Sequence, residues 1–159
     1  MKLLLLSNST NPNEPYLSWP LDYIERMMNG CKNAVFVPYA AVGFSYDEYE
    51  SRVNESLAQR GLNVTSIHRS NNLIQTLDDA DAILVGGGNT FHLLHELQRL
   101  NLVEKIKSVV NSGIPYIGWS AGSNAACPTI RTTNDMPIIE PESFEALGLV
   151  DFQINPHYT

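Results

Sequence analysis

The sequence is short of cysteine, of basic charge and of long apolar runs, and each shortage excludes a class of protein. Two cysteines, Cys31 and Cys127, are too few for a disulfide framework and lack metal-ligand spacing. A reducing, cytoplasmic setting is the simpler expectation. Ten Lys and Arg stand against seventeen Asp and Glu, a formal charge of −7. Such a surface repels phosphate backbones and anionic lipid, so neither nucleic acid nor a membrane surface is an expected partner. The opening leucine run, Leu3 to Leu6, falls short of the about 7–15 apolar residues of a secretory core. No run approaches the ~20 residues that cross a bilayer. Internal repeats and low-complexity tracts are also missing.

What is present is an alternation. Short apolar runs ending in polar or glycine-rich turns are separated by segments with helical spacing, the pattern of βα units around a parallel sheet. The spacing predicts strands at Leu3–Leu6, Ala34–Val37, Val64–Ile67, Ala82–Val85 and Pro115–Ile117, with a short sixth at Phe152–Ile154. Helices are predicted over Leu21–Met28, Tyr46–Arg60, Phe91–Leu100, Val103–Val110 and Ala121–Ala126, with Gly30, Gly61 and Gly113 as stops. A further short helix is expected from Pro141 to Gly148, with Glu142 and Glu145 on its solvated face. The fold class is α/β, in one domain spanning residues 1–159. An enzyme of this class usually has more strands than 159 residues supply, so the expectation is a domain lacking its C-terminal strands.

Ligands in open parallel sheets bind beyond the carboxyl ends of the strands. Two of the turns there are informative. Gly118-Trp119-Ser120-Ala121-Gly122 fits G-x-S-x-G between a strand and a helix, where small neighbours let a serine sit on a sharp turn with its hydroxyl exposed. Gly86-Gly87-Gly88-Asn89-Thr90 lacks the last glycine of G-x-G-x-x-G and the Gly-Lys ending of a P-loop, which argues against a phosphate cradle. It suits instead an amide donor for an oxyanion, with Gly88 as one donor and Ala121, just after the serine, as the other.

A serine hydroxyl needs a base, usually a histidine oriented by a carboxylate. His157, in Asn155-Pro156-His157, would reach the same rim as Ser120 if Phe152–Ile154 joined the sheet in parallel. His68 reads as part of a solvated turn. His92 and His95 share a helical face at a spacing that can hold a metal, but no third ligand is evident, so no metal is expected. Asp135 is the carboxylate best placed in the order Ser, Asp, His, and its alternative role is to shape the loop. Arg131 is the basic residue nearest these motifs.

Taken together, Leu4-Leu5-Leu6-Ser7-Asn8-Ser9-Thr10, the Gly86 to Phe91 turn, Tyr116 to Gly122, Cys127 to Pro137 and Gln153-Ile154-Asn155-Pro156-His157 resemble the peptidase E, or α-aspartyl dipeptidase, family of serine peptidases. The resemblance runs in order along the whole chain. It implies a flavodoxin-like, class I glutamine-amidotransferase-like, doubly wound and mostly parallel sheet. It also implies hydrolysis of Asp-X dipeptides without metal or cofactor. By motif, Ser120 is similar to the family's nucleophile, His157 to its base, and the Gly88 and Ala121 amides to its oxyanion hole. The third member stays open between Asp135 and an acid beyond Thr159, and a C-terminal fragment completing the fold is an expected partner. Arg131 is the candidate for recognising the substrate's Asp side chain. Two alternatives remain at this stage: a cyanophycinase-like β-aspartyl hydrolase, and a small-ligand binding domain with an inactive elbow.

Overall fold

Alternate residues of the central strands face opposite ways, and both sets are apolar. In β2 (Ala34–Val37), Ala34 and Phe36 enter one core and Val35 and Val37 the other, all 5% exposed or less. A strand buried on both faces needs helices above and below it, and the computed structural model, which describes residues 1–157, supplies them. The elements run β1 (Leu3–Leu6), α1 (Leu21–Met27), β2, α2 (Tyr46–Leu57), β3 (Thr65–Ser66), α3 (Leu73–Asp78), β4 (Ala82–Val85), α4 (Thr90–Arg99), α5 (Val103–Asn111), β5 (Tyr116–Trp119) and α6 (Ala121–Ala126). Short 3-10 turns at Ala58–Arg60 and Ile67–Arg69 link them.

The five strands lie in the order β1-β5-β4-β2-β3, every pair parallel. From β2 the chain moves outward to β3, and from β4 it moves the other way to β5. Carboxyl-end loops therefore diverge there and leave a crevice. On one face, Leu21 and Ile24 of α1 and Val53 and Leu57 of α2 cover Phe36, Leu84, Ile117 and Trp119. On the other, Leu77 of α3, Leu93 and Leu97 of α4 and Ile106 and Val110 of α5 cover Val35, Ile83, Val85 and Tyr116. Each such fully buried aliphatic side chain stabilises by about 1.5–3 kcal/mol before entropy is counted. Helix α2 begins with a full capping box, Ser45 accepting from the Glu48 amide and Glu48 from that of Ser45.

The predicted β1, β2 and β4 match their observed bounds, and β5 begins one residue later and runs on to Trp119. Two expected elements do not form. Phe152–Ile154 is not a strand, because its backbone groups are bound elsewhere. The Ile154 N–H donates to Cys127 Sγ at 3.2 Å, and the Ile154 carbonyl accepts from Asn124 Nδ2 and Thr132 Oγ1. Nor is there a helix from Pro141 to Gly148. There the amides of Ala146, Leu147 and Gly148 donate to the carbonyls of Pro128, Ala125 and Cys127, and Leu147 is fully buried. The six-residue α3 has no counterpart in the sequence reading; it is too short to show periodicity, and Asn72 caps it by accepting from the Gln75 amide.

Candidate active site

The turn between β5 and α6 holds Ser120 at φ +54° and ψ −111°, a conformation that costs a non-glycine residue of order 1–3 kcal/mol. Surrounding packing enforces it. A Cβ on Gly118 would lie 2.6 Å from the Gly122 carbonyl oxygen, and one on Gly122 would overlap the Val85 carbonyl. Both glycines of the motif therefore let helix α6 sit close to β4 and β5. Ser123 Oγ donates to the carbonyls of Leu6 and Gly118 at 2.7 and 3.0 Å, and Tyr116 Oη to that of Gly122 at 2.7 Å. The Ser120 N–H is tied to the Leu6 carbonyl at 3.0 Å. With its backbone so fixed, Ser120 presents Oγ to the crevice.

His157 reaches that hydroxyl: Nε2 lies 2.7 Å from Ser120 Oγ. It arrives without the strand on which the sequence argument relied. Residues 153–157 are instead laced to the loop before them by Gln153 to Thr129 and by Asn134 to Asn155, both 2.8 Å. Pro156 is buried, and the His157 N–H donates to Ser7 Oγ at 2.9 Å, which swings the ring back over the elbow at φ +59°.

Asp135 comes into the same cavity. Its Oδ2 accepts from the Thr90 amide at 2.8 Å and the Thr90 hydroxyl at 2.6 Å, so the carboxylate sits on the first turn of α4, where negative charge is favoured. Among the described residues no hydrogen bond joins it to His157, and no carboxylate bonds the His157 ring.

The Gly86–Gly88 turn is built by close approach. Gly88 has φ +144°, and a Cβ there would overlap the Ala40 carbonyl, which accepts instead from the Asn89 amide at 2.8 Å. Tyr49 Oη donates to the Gly87 carbonyl at 2.8 Å and accepts from Trp119 Nε1 at 3.2 Å. Burial pushes the Tyr49 phenol up, so it stays a neutral donor. The Gly88 N–H has no partner among the described residues, and the Ala121 N–H opens α6, where no intrahelical acceptor exists for it. Asn89 caps α4 through the His92 amide and holds the Met136 carbonyl at 2.8 Å, fastening the loop that carries Asp135.

The cavity measures about 300 Å³ and is lined by Ser120, His157, Asp135, Gly87 and Gly88 together with Ser9, Tyr16, Phe44, Tyr49, Arg52 and Trp119. Arg131 is not among them; its guanidinium lies over the Phe144 ring, 5.2 Å from the centroid. Arg52 is the residue the sequence reading missed. It stands far from every motif, and its one local signal is the i,i+3 spacing from the buried Tyr49 on α2.

Elsewhere His68 is not in a solvated turn. It bridges Ser66 Oγ at 2.6 Å and Asp47 Oδ1 at 2.8 Å, copying the order of a catalytic relay, but Ser66 is 1% exposed and closed to substrate. The hydrogen bond from His68, with Arg69 beside it, holds the Asp47 carboxyl below its usual range. His92 Nδ1 meets the Tyr39 carbonyl at 2.6 Å, and no group of three metal-ligating side chains occurs among the described residues. None of the helices described is long and apolar enough to cross a membrane.

Comparison with known proteins fits this geometry. The model of peptidase family S51 matches residues 3–159. Peptidase E of Shewanella amazonensis is 52% identical over 159 residues, all of this chain and 68% of that protein. Peptidase E of Salmonella typhi is 50% identical over the same length and is covered to 69%. Among solved structures, a Listeria monocytogenes EGD-e protein provisionally assigned as a peptidase E superposes with a TM-score of 0.72 at 27% identity, over 96% of this chain and 77% of its own. A peptidase from an acI-B1 Actinobacterium, 19% identical, shares the fold with a TM-score of 0.70 over 94% of this chain and 64% of its own.

Proposed function

The chain belongs to peptidase family S51 and is a serine-type peptidase, and from that premise we propose that it releases aspartate from Asp-X dipeptides with Ser120 as nucleophile and His157 as base. The observation that carries this reading is the 2.7 Å contact between Ser120 Oγ and His157 Nε2 on a strained strand-to-helix turn. In that pairing Nε2 accepts the hydroxyl proton and the ring's other nitrogen carries the hydrogen. Ser120 Oγ attacks the scissile carbonyl while His157 takes its proton. The resulting oxyanion receives the Gly88 and Ala121 amides; removing one such donor typically costs about 2.7–4 kcal/mol of barrier. His157 then returns the proton to the leaving amine. Water, activated by the same ring, hydrolyses the aspartyl ester on Ser120.

Asp135 is the acid we assign to this centre. Its carboxylate, held by Thr90 on the cavity wall, supports the imidazolium by charge across the cavity rather than through a hydrogen bond. The two free cysteines are in keeping with a cytoplasmic site of action.

The test is hydrolysis of Asp-Leu beside β-Asp-Leu, Glu-Leu and Leu-Leu. Preference for Asp-Leu, abolished in Ser120→Ala and His157→Ala proteins with unchanged circular dichroism, is expected. Turnover retained by pure Ser120→Ala protein overturns the mechanism, and preference for β-Asp-Leu moves the specificity to the cyanophycinase-like alternative.

A further inference from the structure

An amide between two glycines is the least constrained backbone group beside Ser120, and one side chain holds it. Gly86, Gly87 and Gly88 follow one another, and a peptide flanked by glycines turns over at little steric cost. The turn is tied at its ends: the Gly86 N–H donates to the Val37 carbonyl at 3.2 Å and the Asn89 N–H to the Ala40 carbonyl at 2.8 Å. Between them, the peptide joining Gly87 to Gly88 makes one hydrogen bond among the described residues, accepted by the Gly87 carbonyl from the Tyr49 hydroxyl at 2.8 Å. That peptide lies against the elbow, since a Cβ on Gly87 would stand 2.9 Å from Ser120 Cβ.

One rigid plane carries both groups of that peptide. In a trans peptide the carbonyl and the N–H point to opposite sides, and no cis bond occurs among the described residues, so whatever holds the Gly87 carbonyl also aims the Gly88 N–H. The direction of the Tyr49 bond is fixed as well. Trp119 Nε1, 3.2 Å from Tyr49 Oη, can only donate, and the Gly87 carbonyl can only accept. Tyr16 Oη donates to the same oxygen at 3.4 Å. The single phenolic proton therefore goes to Gly87, and burial keeps it on the phenol. Gly86 leaves room for the hydroxyl, because a Cβ there would stand 2.5 Å from Tyr49 Oη. Trp119 directly precedes Ser120, so the elbow and the glycine turn share one buried hydroxyl.

We propose that Tyr49 is a positioning residue of the oxyanion site: by holding the Gly87 carbonyl, it keeps the Gly88 N–H turned toward the oxygen on which charge develops. With the peptide turned over, a carbonyl would face that oxygen in place of a donor. This rests on the reading of Gly88 as an oxyanion donor, and the experiment separates the two. Tyr49→Phe removes the hydroxyl and keeps the ring against Phe36 and Phe44. A second protein carries 4-aminophenylalanine, a weaker donor, in place of Tyr49. A third carries glycolate in place of Gly88, which exchanges the N–H for oxygen. Each is assayed on Asp-Leu and on its reduced-amide analogue, whose CH2 in place of the scissile carbonyl makes no use of oxyanion donors. The Phe variant is expected to lose about 10- to 100-fold in kcat, less than the roughly 100- to 1,000-fold that goes with a whole donor, while the Ki of the analogue stays within about 2-fold. The amino variant is expected to fall between Phe and unvaried protein, and the glycolate protein to lose at least as much as the Phe variant.

A merely structural Tyr49 would loosen the cavity and raise the analogue's Ki along with the fall in kcat. That result, or an unchanged kcat in a folded Phe variant, overturns the assignment. If the glycolate protein alone loses kcat, Gly88 stands as the donor and Tyr49 does not aim it. If the glycolate protein keeps its kcat, the Gly88 reading falls and the assignment with it. Should the Phe variant not fold, kcat and Ki of the amino variant decide in the same way. Unvaried protein that does not cleave Asp-Leu overturns the assignment together with the aspartyl-peptidase reading.

Discussion

Replacing Ser120 by glycine and, separately, by alanine measures the strain at the elbow. At an ordinary position glycine is the worse of the two by about 0.5–1 kcal/mol, because the unfolded chain gains freedom. Ser120 is not ordinary: at φ +54° and ψ −111° any residue with a Cβ carries of order 1–3 kcal/mol of strain, which alanine keeps and glycine sheds. Both substitutions lose the contact from Oγ to His157 equally, so it cancels in the comparison. Subtracting about 0.7 kcal/mol of unfolded-state entropy from roughly 2 kcal/mol of strain leaves Ser120→Gly more stable than Ser120→Ala by about 1 kcal/mol. For a chain of this size that is about 2–4 °C in Tm. Urea unfolding of the two inactive proteins, followed by circular dichroism and read at matched m-values, gives the number. An alanine variant as stable as the glycine one, or more so, would refute the idea that the turn stores strain on behalf of the nucleophile.

Three further outcomes are expected. Gly88→Ala forces a Cβ into the Ala40 carbonyl at φ +144° and is expected to destabilise by at least about 2 kcal/mol; an unchanged urea midpoint would show that the β2 and β4 turns are not packed backbone to backbone. His157→Gln removes the ring nitrogen that lies 2.7 Å from Ser120 Oγ and is expected to abolish peptidase activity without altering circular dichroism; turnover retained by that variant would speak against a histidine base. Glu96, held below the usual carboxylate range mainly by its hydrogen bond to Arg99, binds its proton less readily folded than unfolded. Its contribution is therefore complete above the unfolded value of about 4.3 and is lost as pH falls through the lower folded one. Arg99→Gln is expected to flatten the acid limb of the urea midpoint, and an unaltered limb would count against the pair.

Much of this protein is legible in its order of residues. Runs such as Ala34–Val37 and Ala82–Val85 are apolar at every position, which only a strand covered on both faces tolerates, and their bounds are those observed. Gly118 and Gly122 mark the elbow because a side chain at either would meet backbone. These are local properties: each depends on what one short segment can bury or how sharply it can turn.

The rest of the site depends on which side chains satisfy which backbone groups once the chain is packed, and that carries no period along the sequence. Phe152–Ile154 has a strand's composition, yet Cys127, Asn124 and Thr132 take its hydrogen-bonding groups, and His157 reaches Ser120 from a coil. Asp135 has the triad's chain order, but Thr90 claims its Oδ2. Arg131 is near the motifs in sequence and Arg52 is near them in space. The sequence by itself determined the parallel α/β scaffold, the family and the sharp glycine-flanked turn at Ser120, because apolar period and glycine placement are written residue by residue. Tertiary structure alone decided the path of His157 to Ser120, the partner of Asp135 and the cation that lines the cavity, because each joins segments whose separation along the chain says nothing of their separation in space.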